Sequence, residues 1–576
     1  MSLIVTLLLL FGMTPNWFVQ QQADTIYFNG HIITLWAEHP LAEAVAISGN
    51  RLLAVGSNTT VLRYAHAQTR KIDLHGQTVI PGLMDSHTHP ISAALSERHE
   101  PLPVMSSIAD IQAYVRRRAK TTPPEKVILI PKVFSPRLKE HRYPTRGELD
   151  AAAADRLVIA DNGYASVVNT LLLRKLGITR DTPQPANGKI LKDADGEPTG
   201  LILGASQLLL EYRREEEASP DDLLWALREM QHAYNRVGIT STIDRGQGAE
   251  GFRAYQDLRR RGEMTVRSYV TYRISGQGTP RQALEEVERI PFVTGWGDEW
   301  LRVGSLKLVL DGGILTGTAY LREPYGSKTE IYGYQDPEYR GVLAVPRENV
   351  FEVARAANEL GWQMTAHVTG GGSLDVLLDA YAAADREKPI RDRRFTVTHG
   401  NFPNAAAIAR AAKLGVVFDC QPAWHHLDAA VLGTILGPAR MADFLPLRSL
   451  FDAGVVVAGG SDHMIRFDAR HSVNPYHPFF GMWMAITRTT VDGKVINPEQ
   501  RLSREEALRM WTINGAYLTF EEKLKGSLEP GKLADLVVIS KNMLTCAVDE
   551  IKDIEAVVTV VDGREVYRAG PLSSKP

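Results

Sequence analysis

The chain has 576 residues, 44% hydrophobic and 23% charged, the balance of an ordinary soluble globular protein. Lys and Arg number 65 against 67 Asp and Glu, a net charge of −2 that leaves no electrostatic footprint for nucleic acid. Two cysteines, Cys420 and Cys546, exclude a disulfide framework and a zinc finger, so any metal must rest on the 16 histidines and on carboxylates.

Residues 2–13 are nearly all apolar. That run is too short for a bilayer, which takes about 20 residues, and it suits the apolar region of a signal peptide. No Lys or Arg precedes it and no small-residue cleavage site follows, so 1–22 reads either as a signal peptide, placing the protein in the periplasm or outside the cell, or as an extension of a cytoplasmic protein. No other segment suggests stable membrane insertion. From 23 to 80, short β-rich runs at 26–28, 32–35, 45–47 and 52–55 are punctuated by Asn29-Gly30 and Gly49-Asn50. The same texture returns at 536–539, 556–561 and 565–567, around Asp562-Gly563. The two ends, 23–80 and 525–570, are expected to pair into one small composite β-sandwich. Between them, over 81–524, apolar strand-like runs at 157–159, 240–243, 268–272, 306–310, 363–368, 395–399, 416–420 and 455–458 alternate with amphipathic stretches such as 352–360 and 405–414. Such alternation predicts an α/β fold with a parallel sheet, most simply a TIM (β/α)8 barrel, whose chemistry gathers at the C-terminal ends of the strands.

The candidate groups sit at such strand ends. In IPGLMDSHTHP (80–90), His87 and His89 are two apart, so a strand puts both imidazoles on one face, with Asp85 beside them. In SLKLVLD (305–311), Lys307 shares a face with Ser305, Val309 and Asp311, and Asp311 is also a simple ion-pair partner for it. In GWQMTAH (361–367), the polar face of Gln363, Thr365 and His367 can point into a barrel lumen. RFTVTH (394–399) ends on His399, and VVVAGGSD (455–462) carries Asp462 after an apolar strand and two glycines. Singly each is an ordinary core histidine, ion pair or helix cap; together they are six groups able to meet at one mouth.

These motifs resemble the metal-dependent amidohydrolase superfamily, in particular the YtcJ-like branch (amidohydrolase family 3). The similarity runs from about Ala23 to Tyr567 and also takes in GITSTID (238–244), LGVVFDCQP (414–422) and KGSLEPGKLADLVVI (525–539). It implies a distorted barrel with a composite sandwich, and His87, His89, His367, His399 and Asp462 as metal ligands. Two-metal members bridge their ions with a carboxylated lysine, and Lys307 matches that position; a mononuclear site with an unmodified Lys307 is the alternative. The implied cofactor is one or two Zn2+, with CO2-derived carboxylation of Lys307. Three positions depart from the pattern: Gly163-Tyr164 replaces Gly-His, Gly371 replaces an Asp, and Thr398 replaces the Glu before His399.

The mechanism this implies is hydrolysis of a C–N bond in an amide, N-acyl or N-formyl small molecule, by a metal-activated water with Asp462 as general base. Tyr164 is expected either to polarise the scissile carbonyl or to form a wall. Gln421, Trp424, His425 and His426, after the seventh strand, and His463 and Arg466, after Asp462, are expected to line the substrate pocket. Competing readings are a deaminase of a cyclic amidine, an ester or lactone hydrolase, and a scaffold that has lost catalysis, although no ligand of the set is missing. A homo-oligomer is expected.

Overall fold

The computed structural model describes residues 21–185, 188–204, 206–213, 218–333 and 336–570, so nearly all of 1–22 lies outside the described residues. Its centre is an eight-stranded parallel sheet whose strands follow one another in space as in sequence. The strands are Leu83–Thr88, Ile239–Gln247, Arg267–Arg273, Leu301–Val309, Met364–Val368, Thr396–His399, Val417–Cys420 and Val457–Gly459. The eighth meets the first through a bridge between Thr88 and His463 and through two backbone hydrogen bonds, Asp462 N–H to the His87 carbonyl (2.8 Å) and His89 N–H to the His463 carbonyl (2.9 Å). The barrel therefore closes through the segments that carry three of the candidate ligands.

Close approach explains the glycine before that seam. A Cβ on Gly460 would lie 2.7 Å from the His87 backbone nitrogen, nearer than any side chain tolerates, so only glycine lets the eighth strand abut the first. Helices cover the outside. Arg347–Leu360 buries Val350, Val353, Ala354 and Ala357 at helical spacing and stops at Gly361, whose φ of 92° ends the last turn. Met364 and Ala366 are buried beneath this layer.

Two further sheets flank the barrel. One chain end supplies Thr78–Pro81 and the other Leu536–Ile539, which pair antiparallel within a six-stranded sheet. A four-stranded sheet faces it, and Tyr27, Ile47 and Leu52 share a core with Leu536, Val538 and Val560. The third sheet has five strands and is inserted between the first two barrel strands: Val127–Ile130, Leu157–Asp161, Ala165–Val168, Lys189–Lys192 and Pro198–Leu203. The apolar run 157–159, expected among the barrel strands, belongs here. A short apolar run states that a strand is buried, not which sheet buries it. The insert is fastened to the barrel by Arg137, which grips Asp428 with Nε and Nη2 (2.7 and 2.8 Å), and by the Ser135 hydroxyl, which donates to the Ile331 carbonyl (2.8 Å). Among the described residues no helix is long and apolar enough to cross a membrane.

Candidate active site

Pairing register fixes which side chains enter the lumen. Lys307 lies opposite Thr365, and Val309 opposite His367, so the face of Lys307 and Val309 and the face of Thr365 and His367, each read from alternation, are one inward face. The next strand is different. Thr396 pairs with Thr365 and Thr398 with His367, and the Thr365 and Thr398 hydroxyls touch at 2.8 Å, so both threonines face inward. By alternation His399 belongs on the opposite face. Its left-handed backbone (φ 72°) turns the ring back over the mouth, where it lies 4.8 Å from the His87 ring and 4.5 Å from the His367 ring. Asp462 is also left-handed (φ 57°). Non-glycine residues in this conformation carry strain of about 1–3 kcal/mol and cluster at functional sites.

His87, His89 and Asp462 form one cluster. Asp462 Oδ1 lies 3.2 Å from His87 Nε2 and 3.4 Å from His89 Nε2. His87 Nδ1 is engaged behind, 3.2 Å from Asp419 Oδ2, and His399 Nδ1 bonds Gln421 Oε1 at 2.7 Å. Both rings thus turn Nε2 to the cavity, the outer-layer arrangement that orients imidazole ligands. Asp419 also accepts from the Ser86 hydroxyl (2.7 Å) and from Gln421 Nε2 (3.0 Å), and lies 3.0 Å from Arg245 Nη2. Lys307 Nζ donates to the Arg245 carbonyl at 2.8 Å. Asp311, the partner that spacing suggested for Lys307, instead accepts from the backbone N–H groups of Tyr320, Thr369 and Gly370 and from the Ser373 hydroxyl, tying loops together.

Burial sets the protonation states. It holds His87 and His399 well below the usual imidazole range and His367 at about 3, with the neighbouring Lys307 charge acting in the same direction. It lowers Lys307 to about 7, helped by Arg245. Neutral imidazoles with free lone pairs are what a metal takes up. His87 Nε2 and His367 Nε2 are buried and accept no hydrogen bond, and buried polar atoms left so ask for a partner. Four imidazoles and a carboxylate fit a divalent cation such as Zn2+.

A cavity of about 340 Å³ opens above this floor. Trp424 lines it, stacked 4.5 Å from His399. Tyr164 reaches it from the insert, its phenol pushed up to about 12 by burial and the Asp311 charge. Gln421 acts behind His399 rather than in the lining. Three of the expected pocket histidines are engaged elsewhere: His425 Nε2 with the Ile496 carbonyl (3.1 Å), His426 Nδ1 with the Thr489 carbonyl (2.6 Å), and His463 Nδ1 with the Tyr234 hydroxyl (3.1 Å). Arg466 donates to the backbone of His471 (2.5 Å) and Pro103 (2.6 Å). Following a barrel strand in sequence did not bring these four to the cavity, because the local turns pack them against neighbouring loops. Sequence reading passed over Asp419, Arg245 and Asn474. Asp419 had a signal, a carboxylate inside the apolar run VVFDC; the other two had none.

Comparison with known proteins fits this site. Residues 70–567 match the amidohydrolase family. The chain belongs to that family. The amidohydrolase is 28% identical to the N-substituted formamide deformylase of Arthrobacter pascens, covering 94% of this chain and 98% of the relative. It is 26% identical to the putative amidohydrolase YtcJ of Bacillus subtilis, covering 94% and 99%. An uncharacterized metal-dependent hydrolase from Pyrococcus horikoshii OT3 shares the fold, with a TM-score of 0.69 at 21% identity over 91% of this chain and 99% of that one. The amidohydrolase is thus a barrel hydrolase whose His/Asp cluster is suited to metal.

Proposed function

We propose that this amidohydrolase cleaves the C–N bond of N-acyl or N-formyl small molecules, with His87, His89, His367, His399 and Asp462 holding one or two divalent ions, most simply Zn2+. The observation that carries the reading is the convergence of these five side chains at one cavity floor, with two imidazole nitrogens buried and unbonded. The similarity to a formamide deformylase supports the C–N bond as the target. Bound there, a divalent cation supplies a Lewis acid and makes a water acidic near neutral pH.

The chain's own groups supply the rest. Asp462 takes the water's proton and returns it to the leaving nitrogen, so that amide and water become a carboxylic acid and an amine. Asn474 Nδ2 donates to the Asp462 carbonyl (2.8 Å) and lies 3.3 Å from its Oδ2, holding the carboxylate in place. Tyr164, protonated at every working pH, can donate to the carbonyl oxygen as it becomes negative. In a two-ion site Lys307, as its neutral amine, would add CO2, forming an N–C bond and releasing one proton, and would present an anionic carbamate to the cations where its ammonium form would repel them.

The test is Asp462→Asn. Turnover of N-acyl and N-formyl amides should fall about 10³-fold or more with the circular dichroism spectrum intact. Activity near that of the unaltered enzyme would overturn the assignment.

A further inference from the structure

The barrel lumen is layered. Alternation puts Met84 and Ser86 on one face of the first strand, Ile243 and Arg245 on one face of the second, and Val417 and Asp419 on one face of the seventh. Met84, Ile243 and Val417 pack with Tyr269, Ala458 and Leu518 into an apolar layer. One step nearer the mouth, Ser86, Arg245 and Asp419 meet in a polar layer, immediately before the proposed ligand His87. Arg245 is the centre of that layer, and its side chain is fully buried. Its Nε donates to the Ser86 carbonyl (3.0 Å), its Nη1 reaches the Ser305 hydroxyl (3.5 Å), and its Nη2 lies 3.0 Å from Asp419 Oδ2. The same Oδ2 lies 3.2 Å from His87 Nδ1. The guanidinium therefore holds His87 at two points, at the peptide that precedes it and, through Asp419, at the ring.

The backbone of Arg245 reaches a second candidate ligand. The register with the third strand shifts between Asp244 and Gln247, and Gly246 takes a φ of 141°. Such an irregularity leaves a residue outside the ladder, and here the Arg245 carbonyl accepts from Lys307 Nζ at 2.8 Å. One residue thus stands behind a group on the first strand and a group on the fourth.

Stability does not explain this arrangement. The layer below shows that the lumen closes with apolar side chains alone, and exchanging a buried ion pair for such side chains is often neutral or stabilising. Orientation does explain it. A planar fork can fix a carboxylate and a carbonyl together, which a single point charge cannot. We propose that Arg245 is a positioning residue of the metal site, whose fork fixes the peptide before His87 and, through Asp419, the His87 ring, so that Nε2 faces the cavity. This role rests on the hydrolase reading above and concerns its metal site.

The experiment measures Zn2+ affinity of the chelator-treated full chain by competition with a chromogenic chelator, and the visible absorption of the Co2+-loaded protein. Arg245→Met and Asp419→Asn should each weaken Zn2+ binding about 10- to 100-fold, the usual effect of losing a partner behind a ligand, and should alter the Co2+ absorption. Because Arg245 acts through Asp419, adding Asp419→Asn to Arg245→Met should cost at most about threefold more, whereas independent losses multiply. Arg245→Lys keeps the charge without the fork and should fall between the unaltered protein and Arg245→Met; it takes the place of Arg245→Met in the comparison if that variant does not fold. Urea unfolding of the metal-free proteins separates positioning from stability. Lower stability with Zn2+ affinity and Co2+ absorption unmoved overturns the positioning role and leaves the hydrolase reading. Losses that multiply in the double variant also overturn the role. An unaltered protein that takes up neither Zn2+ nor Co2+ overturns the hydrolase reading, and the role with it.

Discussion

At His367 a depressed pKa becomes a measurable stability. In the folded protein this imidazole resists protonation until about pH 3, whereas in the unfolded chain it takes its proton near the ordinary 6.5. Above 6.5 both states are neutral and the group contributes no pH dependence. Between about 6.5 and 3 the unfolded chain binds more protons, so stability falls as pH falls, with a slope of up to about 1.4 kcal/mol per pH unit for one such group. Chelator-treated protein should therefore lose stability steadily across that window, read by urea unfolding, and His367→Asn should flatten the slope by about one proton. An unchanged slope would mean that another group sets it. His87 and His399 are held low by the same burial and add to the trend. His399 also shows how a single dihedral decides a role. Alternation assigns it to the outer face, and a φ of 72° moves it to the site.

The decisive element contact is the seam between the last and first barrel strands. Gly460 lets His87 approach, and the hydrogen bond from Asp462 N–H to the His87 carbonyl sets the distance between the two proposed ligands. Gly460→Ala should force the strands apart. We expect a loss of about 1–3 kcal/mol in unfolding free energy, as for other overpacked cores, together with weaker metal retention on dialysis. A variant that keeps full metal affinity would show that the proposed ligands do not depend on the seam. The amphipathic stretches read at 352–360 and 405–414 lie in the helices Arg347–Leu360 and Ala405–Leu414, whereas a helix marked by its cap was passed over. Arg504–Met510 opens on a capping box of Ser503 and Glu506, and Arg448 holds Glu506 at about 2. The insert was less legible, because its strands are as short and apolar as those of the barrel and the sequence does not say which edge they join.

The whole molecule is one barrel with two attachments, and the insert is the one that completes the cavity, supplying Lys132, Phe134, Arg137, Asn162 and Tyr164. Its anchor is the pair of Arg137 with Asp428, whose carboxylate is fully buried. Removing one partner of such a pair leaves an uncompensated buried charge and costs about 3–5 kcal/mol. Arg137→Met should lower stability by that order in chemical denaturation, and adding Asp428→Asn should recover part of it. Failure of the second change to recover anything would show that the anchor is not electrostatic.

Alternation, glycine turns and spacing are local properties of a chain, and they suffice to read the barrel, the strand ends that carry the proposed ligands and the shared sheet of the two chain ends. Alternation also put Lys307 and His367 each on a definite face of its own strand, and the pairing register then made those faces one. Packing of the whole chain is what turns His399 inward, stands Asp419 and Gln421 behind the imidazoles, bonds His425, His426, His463 and Arg466 to neighbouring backbone or side chains, and brings Lys132 and Arg273 to one cavity from different sheets. Each of those outcomes depends on a backbone angle or on a contact between residues far apart in the chain. Local pattern holds no record of either.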